Sequence, residues 1–204
     1  MEWLKQRFYE LMARYTEDVS YVQDCWQELE TLYSQPSRHY HNLNHVNHMI
    51  NGLETFKDKV VHWDTLLFAI FYHDAVYHVK RQDNEIKSAD LMEEHLGRTS
   101  FSKISMCRQL IEATKRHESY DDDMRVLMDL DLAILGQDSD DYNRYAKNIR
   151  KEYSVYPGFL YRKGRRKVLK HFLEKDRIFK TDHYSKTLEG KARENLNREL
   201  QTLS

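Results

Sequence analysis

The sequence predicts an all-α fold, and three observations carry the prediction. Apolar residues recur at helical spacing along almost the whole chain. Pro occurs twice (Pro36, Pro157) and Gly six times in 204 residues, too few turn residues for a protein built of strands and hairpins. Charged residues make up 32% and hydrophobic residues 40%, a balance that suits amphipathic helices around one core. No Gly/Ser/Pro-rich linker interrupts the chain, so the expectation is a single helical domain over 1–204. Its core runs roughly from 36 to 175, with flanking helices at both ends and nine or ten helices in all.

Taken in order, Trp3, Leu4, Phe8, Leu11 and Met12 mark a first helix over 2–14. Asp18 is a fitting N-cap for a second, which runs to Tyr33 with Val22, Trp26, Leu29 and Tyr33 on one face. Ser34-Gln35-Pro36-Ser37 breaks it. Leu43, Val46, Ile50 and Leu53 start a third, which fades near Phe56. Trp63 to Tyr72 is an apolar helix that delivers His73-Asp74 at its C-terminal end. A polar loop, Val79 to Asp83, leads to a helix marked by Ile86, Ala89, Met92 and Leu96, with Gly97 as its C-cap. Ser102 to about Arg116 is the next, with Ile104, Cys107, Ile111 and Thr114 on its apolar face. The acidic turn Asp121-Asp122-Asp123 precedes a helix from Met124 to Leu135, closed by Gly136. Asp140 or Asp141 caps a helix to Tyr153. Pro157 suits the first turn of the next, which passes Leu169, Phe172 and Leu173. A final amphipathic helix ends near Leu203, and residues 176–186 carry no clear pattern.

Composition also removes whole classes of function. With 32 basic and 33 acidic residues the formal net charge is −1, so the chain as a whole is not drawn to nucleic acid or anionic lipid. The local run Arg162-Lys163-Gly164-Arg165-Arg166-Lys167 reads first as a solvated helix surface. Cys25 and Cys107 are isolated thiols without CxxC spacing, which argues against a disulfide framework or a thiolate zinc site. The N-terminus lacks the apolar core of a signal peptide. The longest apolar run, Leu66 to Tyr72, is too short for a membrane span. The expected setting is cytoplasmic, without membrane or stable nucleic-acid partners.

Chemistry concentrates in three fragments: Tyr40-His41-Asn42-Leu43-Asn44-His45, His73-Asp74, and Asp131. Imidazole and carboxylate suit a borderline or hard divalent ion, and an ion with open positions can activate water. At about 100° per residue, Asp131 falls inside the apolar face made by Leu127, Leu130, Ile134 and Leu135, whereas Asp129 points roughly the opposite way. A carboxylate on a buried stripe needs a cation, a metal or hydrogen-bond donors; an Arg at the stripe's edge would serve equally. A lone His45 reads as a hydrogen-bonded core residue, but adjacent His73 and Asp74 at a helix end can both reach one ion. His41, one turn before His45, suits a ligand, a proton donor or a loop residue. Glu85 shares a face with Ala89, Met92 and Leu96; it could orient a water or a ligand imidazole, or simply favour the helix dipole. His117 reads as a surface position at a helix end. Arg38, Lys115 and Arg150 are candidate phosphate clamps.

The ordered series His, His-Asp, Asp resembles the HD-domain metal-dependent phosphohydrolases, which are all-helical. The resemblance extends to Arg38-His39-Tyr40-His41-Asn42, His73-Asp74-Ala75-Val76-Tyr77, Asn84-Glu85 with Ser88-Ala89, and Asp129-Leu130-Asp131-Leu132-Ala133-Ile134-Leu135-Gly136. Ile149-Arg150 with Glu152-Tyr153 and Ala192-Arg193 with Asn195-Leu196 complete it, so that it covers most of the chain from about 36 to 200. These fragments look like one bacterial branch of predicted HD phosphohydrolases. Tyr40-His41-Asn42-x-x-His45 also looks like the matching segment of cyclic-nucleotide phosphodiesterases, without implying their substrate.

The resemblance implies His45, His73, Asp74 and Asp131 as ligands of one divalent ion (Mn, Mg, Fe, Co, Ni or Zn). It implies His41 as the acid that protonates a leaving oxygen. Only the resemblance offers His117 as an extra ligand or a phosphate contact. The expected activity is hydrolysis of a phosphomonoester, phosphodiester or phosphoanhydride, of a nucleotide or another small phosphorylated metabolite. Asp74 and Glu85 stand beside His41 as residues for the chemistry. Two other classes remain open: a di-iron oxygenase of HD type, which would need more His ligands, and a non-catalytic metal- or nucleotide-binding module.

Overall fold

The computed structural model describes residues 2–115 and 121–203, and these contain helices and no strand. Eleven α-helices are described: α1 (Glu2–Met12), α2 (Val19–Tyr33), α3 (Leu43–Leu53), α4 (Trp63–Tyr72), α5 (Asn84–Leu96), α6 (Ile104–Ala113), α7 (Asp122–Leu132), α8 (Ser139–Glu152), α9 (Gly158–Leu173), α10 (Asp182–Thr187) and α11 (Glu189–Thr202). Short 3-10 turns follow α3, α7 and α8. No helix among the described residues is long and apolar enough to cross a membrane. The chain divides into two compact units, 1–127 and 128–204. The division falls inside α7 and not at a loop, so no linker composition could announce it.

In the first unit α4 is the central element. Every residue from Thr65 to Tyr72 is buried, and α3, α5 and α6 pack on it. Burying Leu66, Leu67, Phe68, Ile70 and Phe71 contributes roughly 8–15 kcal/mol gross against a fully exposed chain. Phe8 of α1 meets the Phe71 ring edge-on at 5.2 Å and lies 5.6 Å from Trp26 of α2. The start of α4 is tied down by carboxylates. Asp123 accepts from the backbone N–H groups of Val61 and His62, both at 2.8 Å, and Asp64 accepts from Arg14 at 2.6 Å and the Tyr15 hydroxyl at 2.8 Å.

In the second unit α9, α10 and the 3-10 turn Ala133–Gly136 pack against α11. Gly136 is required by close approach. A Cβ there would stand 2.5 Å from Leu188 Cβ and 2.8 Å from its carbonyl oxygen. Arg165 is buried on α9 and grips Glu199 through two nitrogens, both at 2.8 Å, while the Tyr142 hydroxyl donates to the same carboxylate at 2.5 Å.

Several expectations change in detail. Trp3 stands 46% exposed, apart from the buried Leu4, Phe8, Leu11 and Met12. Asp138, rather than Asp140 or Asp141, caps α8, accepting from both of their N–H groups. Pro157 is the N-cap of α9, one residue before its first turn. Residues 176–186, left without a pattern, contain all but the last residue of α10, a helix of six residues too short to display a period. Asp18 caps α2 as expected, with Tyr21 N–H at 3.0 Å. The carboxylates of α7 bring the main correction: Asp131, expected inside the buried face, is half-buried, and the fully buried one is Asp129. It lies opposite the apolar stripe of α7, yet it is fully buried, because Val126, Met128, Leu130 and Leu132 are buried too. A helix buried on nearly all sides has no exposed back on which to leave a carboxylate.

Candidate metal centre

The site is built where α4 ends. The last carbonyls of a helix have no partner within it, and here each finds one. Ile70 O accepts from His73 Nδ1 at 2.9 Å, Phe71 O from the Tyr33 hydroxyl at 3.0 Å, and Tyr72 O from Ala75 N–H at 2.9 Å. The next carbonyls, of Asp74 and Ala75, each accept from Arg38 at 2.6 Å. A second Arg38 contact from Nη1 reaches His41 O at 3.0 Å. One buried guanidinium therefore binds the His-Asp turn to the loop that carries His41. Its flat face lies 5.0 Å from the Tyr33 ring centre and 5.6 Å from that of Tyr77. Ser88, fully buried on α5, completes the frame: its hydroxyl accepts from Val76 N–H at 3.0 Å and donates to Val76 O at 3.2 Å.

His45 comes from the other side. Asn42 caps α3 with its side chain on Asn44 N–H at 2.9 Å, which places His45 in the first turn beside the buried stripe Leu43, Val46, Met49 and Ile50. Its Nε2 lies 3.2 Å from His73 Nε2, and His73 Nε2 lies 3.2 Å from Asp74 Oδ2. One ligand atom from each of His45, His73 and Asp74 lies within 4.8 Å of the others.

This geometry fits a cation. A carbonyl can only accept, so His73 Nδ1 carries the hydrogen, and in the neutral ring Nε2 presents its lone pair. That lone pair faces a second imidazole and a carboxylate with only 1% of the His73 side chain exposed. Such a cluster is satisfied by a proton shared among these atoms or by a metal ion bound between them. Two ligands about 2.0–2.3 Å from one ion, at about 90–109°, stand roughly 2.8–3.8 Å apart, and the observed 3.2 Å separations fall in that range. The C-terminal end of α4 adds the negative pole of its dipole. Two imidazoles and a carboxylate select a borderline or hard divalent ion.

The other expected residues are distributed as follows. His41 is half-buried and stacks on Tyr77, with centroids 4.2 Å apart and planes at 27°, and its ring centre is 6.1 Å from that of His45. Arg38, expected as a phosphate clamp, has its guanidinium on the three backbone carbonyls described above. Glu85 and Lys115 meet: Lys115 Nζ stands 3.9 Å from Glu85 Oε2 and bonds Gln82 O. In the second unit Arg150 donates to Tyr153 O at 2.9 Å and stacks over Tyr161 at 4.7 Å, closing the end of α8. Asp131 is half-buried on the second-unit part of α7. Asp129 accepts from Lys180 N–H, Thr181 N–H and the Thr181 hydroxyl at 2.6–2.7 Å. Burial pushes its carboxyl above the usual range, against the pull of these donors. His117 lies outside the described residues.

Tyr33, Tyr77 and Ser88 hold the site, and sequence reasoning assigned none of them a role. Tyr33 reads as plain core in α2. Tyr77 and Ser88 stand in the fragments that resemble HD proteins, and that position was their only signal. Comparison of the chain with protein-family models, curated proteins and solved structures returns no match; the resemblance to HD phosphohydrolases rests on the quoted residues, and the centre on its own geometry.

Proposed function

We propose that the protein is a metal-dependent phosphohydrolase acting on a small phosphorylated metabolite. The observation that carries this reading is the His45–His73–Asp74 cluster, its two histidines buried and its carboxylate half-buried, with the His73 tautomer set by Ile70 O. The order His, His-Asp, Asp nominates Asp131 as a further ligand on sequence grounds alone. A divalent ion bound there would polarise a phosphoryl oxygen and supply activated water near neutral pH.

The chain's own residues account for the remaining work. His41, held against Tyr77 and one turn from His45, donates the proton to the leaving oxygen. Asp74 and His73 are aimed by a turn whose carbonyls Arg38 holds, so the donors keep their positions as charge develops. Glu85, on the first turn of α5, orients a metal-bound water or a ligand imidazole, and its neighbour Lys115 offsets phosphoryl charge.

Two measurements test the proposal. Metal content is determined after purification without added metal, and Mn²⁺-supported hydrolysis is screened over phosphomonoesters, phosphodiesters and nucleoside polyphosphates. Turnover that His73→Ala and Asp74→Ala abolish supports the reading. Two irons per chain would favour an oxygenase, and bound metal with no turnover on any ester or anhydride would favour a binding module.

A further inference from the structure

We propose that the outer face of α9 docks on an anionic lipid bilayer. The helix buries Tyr161, Arg165 and Leu169, a stripe at i, i+4 and i+8. Arg165 is neutralised by Glu199 and contributes nothing outside. At about 100° per residue, Phe159, Leu160, Lys163, Lys167 and Lys170 fall within about 100° of one another on the opposite side. All five are exposed, as are Arg162 and His171. Lys163, Arg166, Lys167, Lys170 and His171 line a shallow groove of about 380 Å³, with Glu174 the one carboxylate there.

Apolar exposure coincides with this charge. Among the described residues eight large hydrophobic side chains are exposed; Phe159 and Leu160 lie on this face of α9 and Val155 in the turn before it, while Val168 lies toward the buried side of the helix. Phe159 is 64% exposed and Val155 49%. A merely solvated basic face has no use for them. Aliphatic Val155 and Leu160 also have nothing to contact on a phosphate backbone, which disfavours nucleic acid. A second copy of the same face would set like charges against each other across a two-fold axis. An anionic bilayer satisfies both halves of the surface: the headgroups take the lysines, and the acyl boundary takes Phe159 and Leu160. The near-zero net charge of the whole chain does not bear on this, because screening confines the attraction to about 8–10 Å.

The test is co-sedimentation of the full chain with vesicles of phosphatidylcholine and phosphatidylserine in a three-to-one ratio, with pure phosphatidylcholine vesicles in parallel. The protein should pellet with the first and not the second, and added salt should release it. Lys163→Gln with Lys167→Gln should weaken binding about fivefold per lysine, and Phe159→Ser about tenfold. Glu174→Gln should strengthen it, so the proposal does not depend on loss-of-binding variants alone. Absence of binding to the anionic vesicles overturns the proposal, as does binding that neither the lysine nor the Phe159 change lowers. Capture of a single-stranded oligonucleotide in place of vesicles overturns it too, as does a dimer that Phe159→Ser dissolves.

Discussion

Arg38→Ala separates two roles for one residue. As a phosphate clamp, Arg38 would matter to substrate and little to the fold. As the frame of the metal centre, it matters to both stability and metal. The structure supports a magnitude. Arg38 is 6% exposed and donates to the carbonyls of His41, Asp74 and Ala75 at 3.0, 2.6 and 2.6 Å. A hydrogen bond to a charged group contributes about 1.5–3 kcal/mol, so losing three, with water entering to recover part, should cost about 3–5 kcal/mol. The lost stacking on Tyr33 and Tyr77 adds up to about 1 kcal/mol. Arg38→Lys should recover only part, since an ammonium lacks the planar fork that reaches the adjacent Asp74 and Ala75 carbonyls together. Urea unfolding measures the stability, and calorimetric titration with Mn²⁺ measures the site, where a loss of about 10–100-fold in affinity is expected. A variant within about 1 kcal/mol of wild type, with unchanged Mn²⁺ affinity and a raised KM, would refute the framing role and restore the clamp.

Three further outcomes are expected. Asp131→Ala should abolish Mn²⁺ binding in calorimetry, while Asp129→Ala should retain most of it yet unfold about 2–4 kcal/mol more easily, having lost three donors; equal loss of metal in both would mean that the two carboxylates share the site. His41→Ala should keep the metal and lower turnover about 10²–10⁴-fold, and the loss should shrink for p-nitrophenyl phosphate, whose leaving group needs little protonation; equal losses on activated and unactivated esters would remove the acid role. Gly136→Ala should lower stability by about 1–3 kcal/mol in thermal or urea unfolding, because the added methyl meets Leu188 at 2.5 Å; a neutral result would show that Leu188 and the start of α11 can yield.

The sequence by itself determined most of the helices, since the period of burial along α2 or α3 is a local property that each segment displays on its own. Caps were legible for the same reason: Asp18 meets Tyr21 three residues away. It also nominated His45, His73 and Asp74, because the donor chemistry and the helix-end position of His-Asp are written in adjacent residues. Tertiary structure alone decided the rest. Arg38 reads as an exposed cation until its guanidinium is seen on carbonyls 36 and 37 residues away. Angle put Asp131 inside the apolar stripe of α7 and Asp129 opposite it, yet Asp129 is the more buried of the two; angle only orders the faces of a helix, and neighbours decide whether a face meets water. The tautomer of His73 depends on Ile70 O, and its value as a ligand depends on His45 arriving 3.2 Å away from another helix. Periodicity tells a helix which side is apolar. Only packing tells a polar side chain which backbone group, at any distance along the chain, will satisfy it.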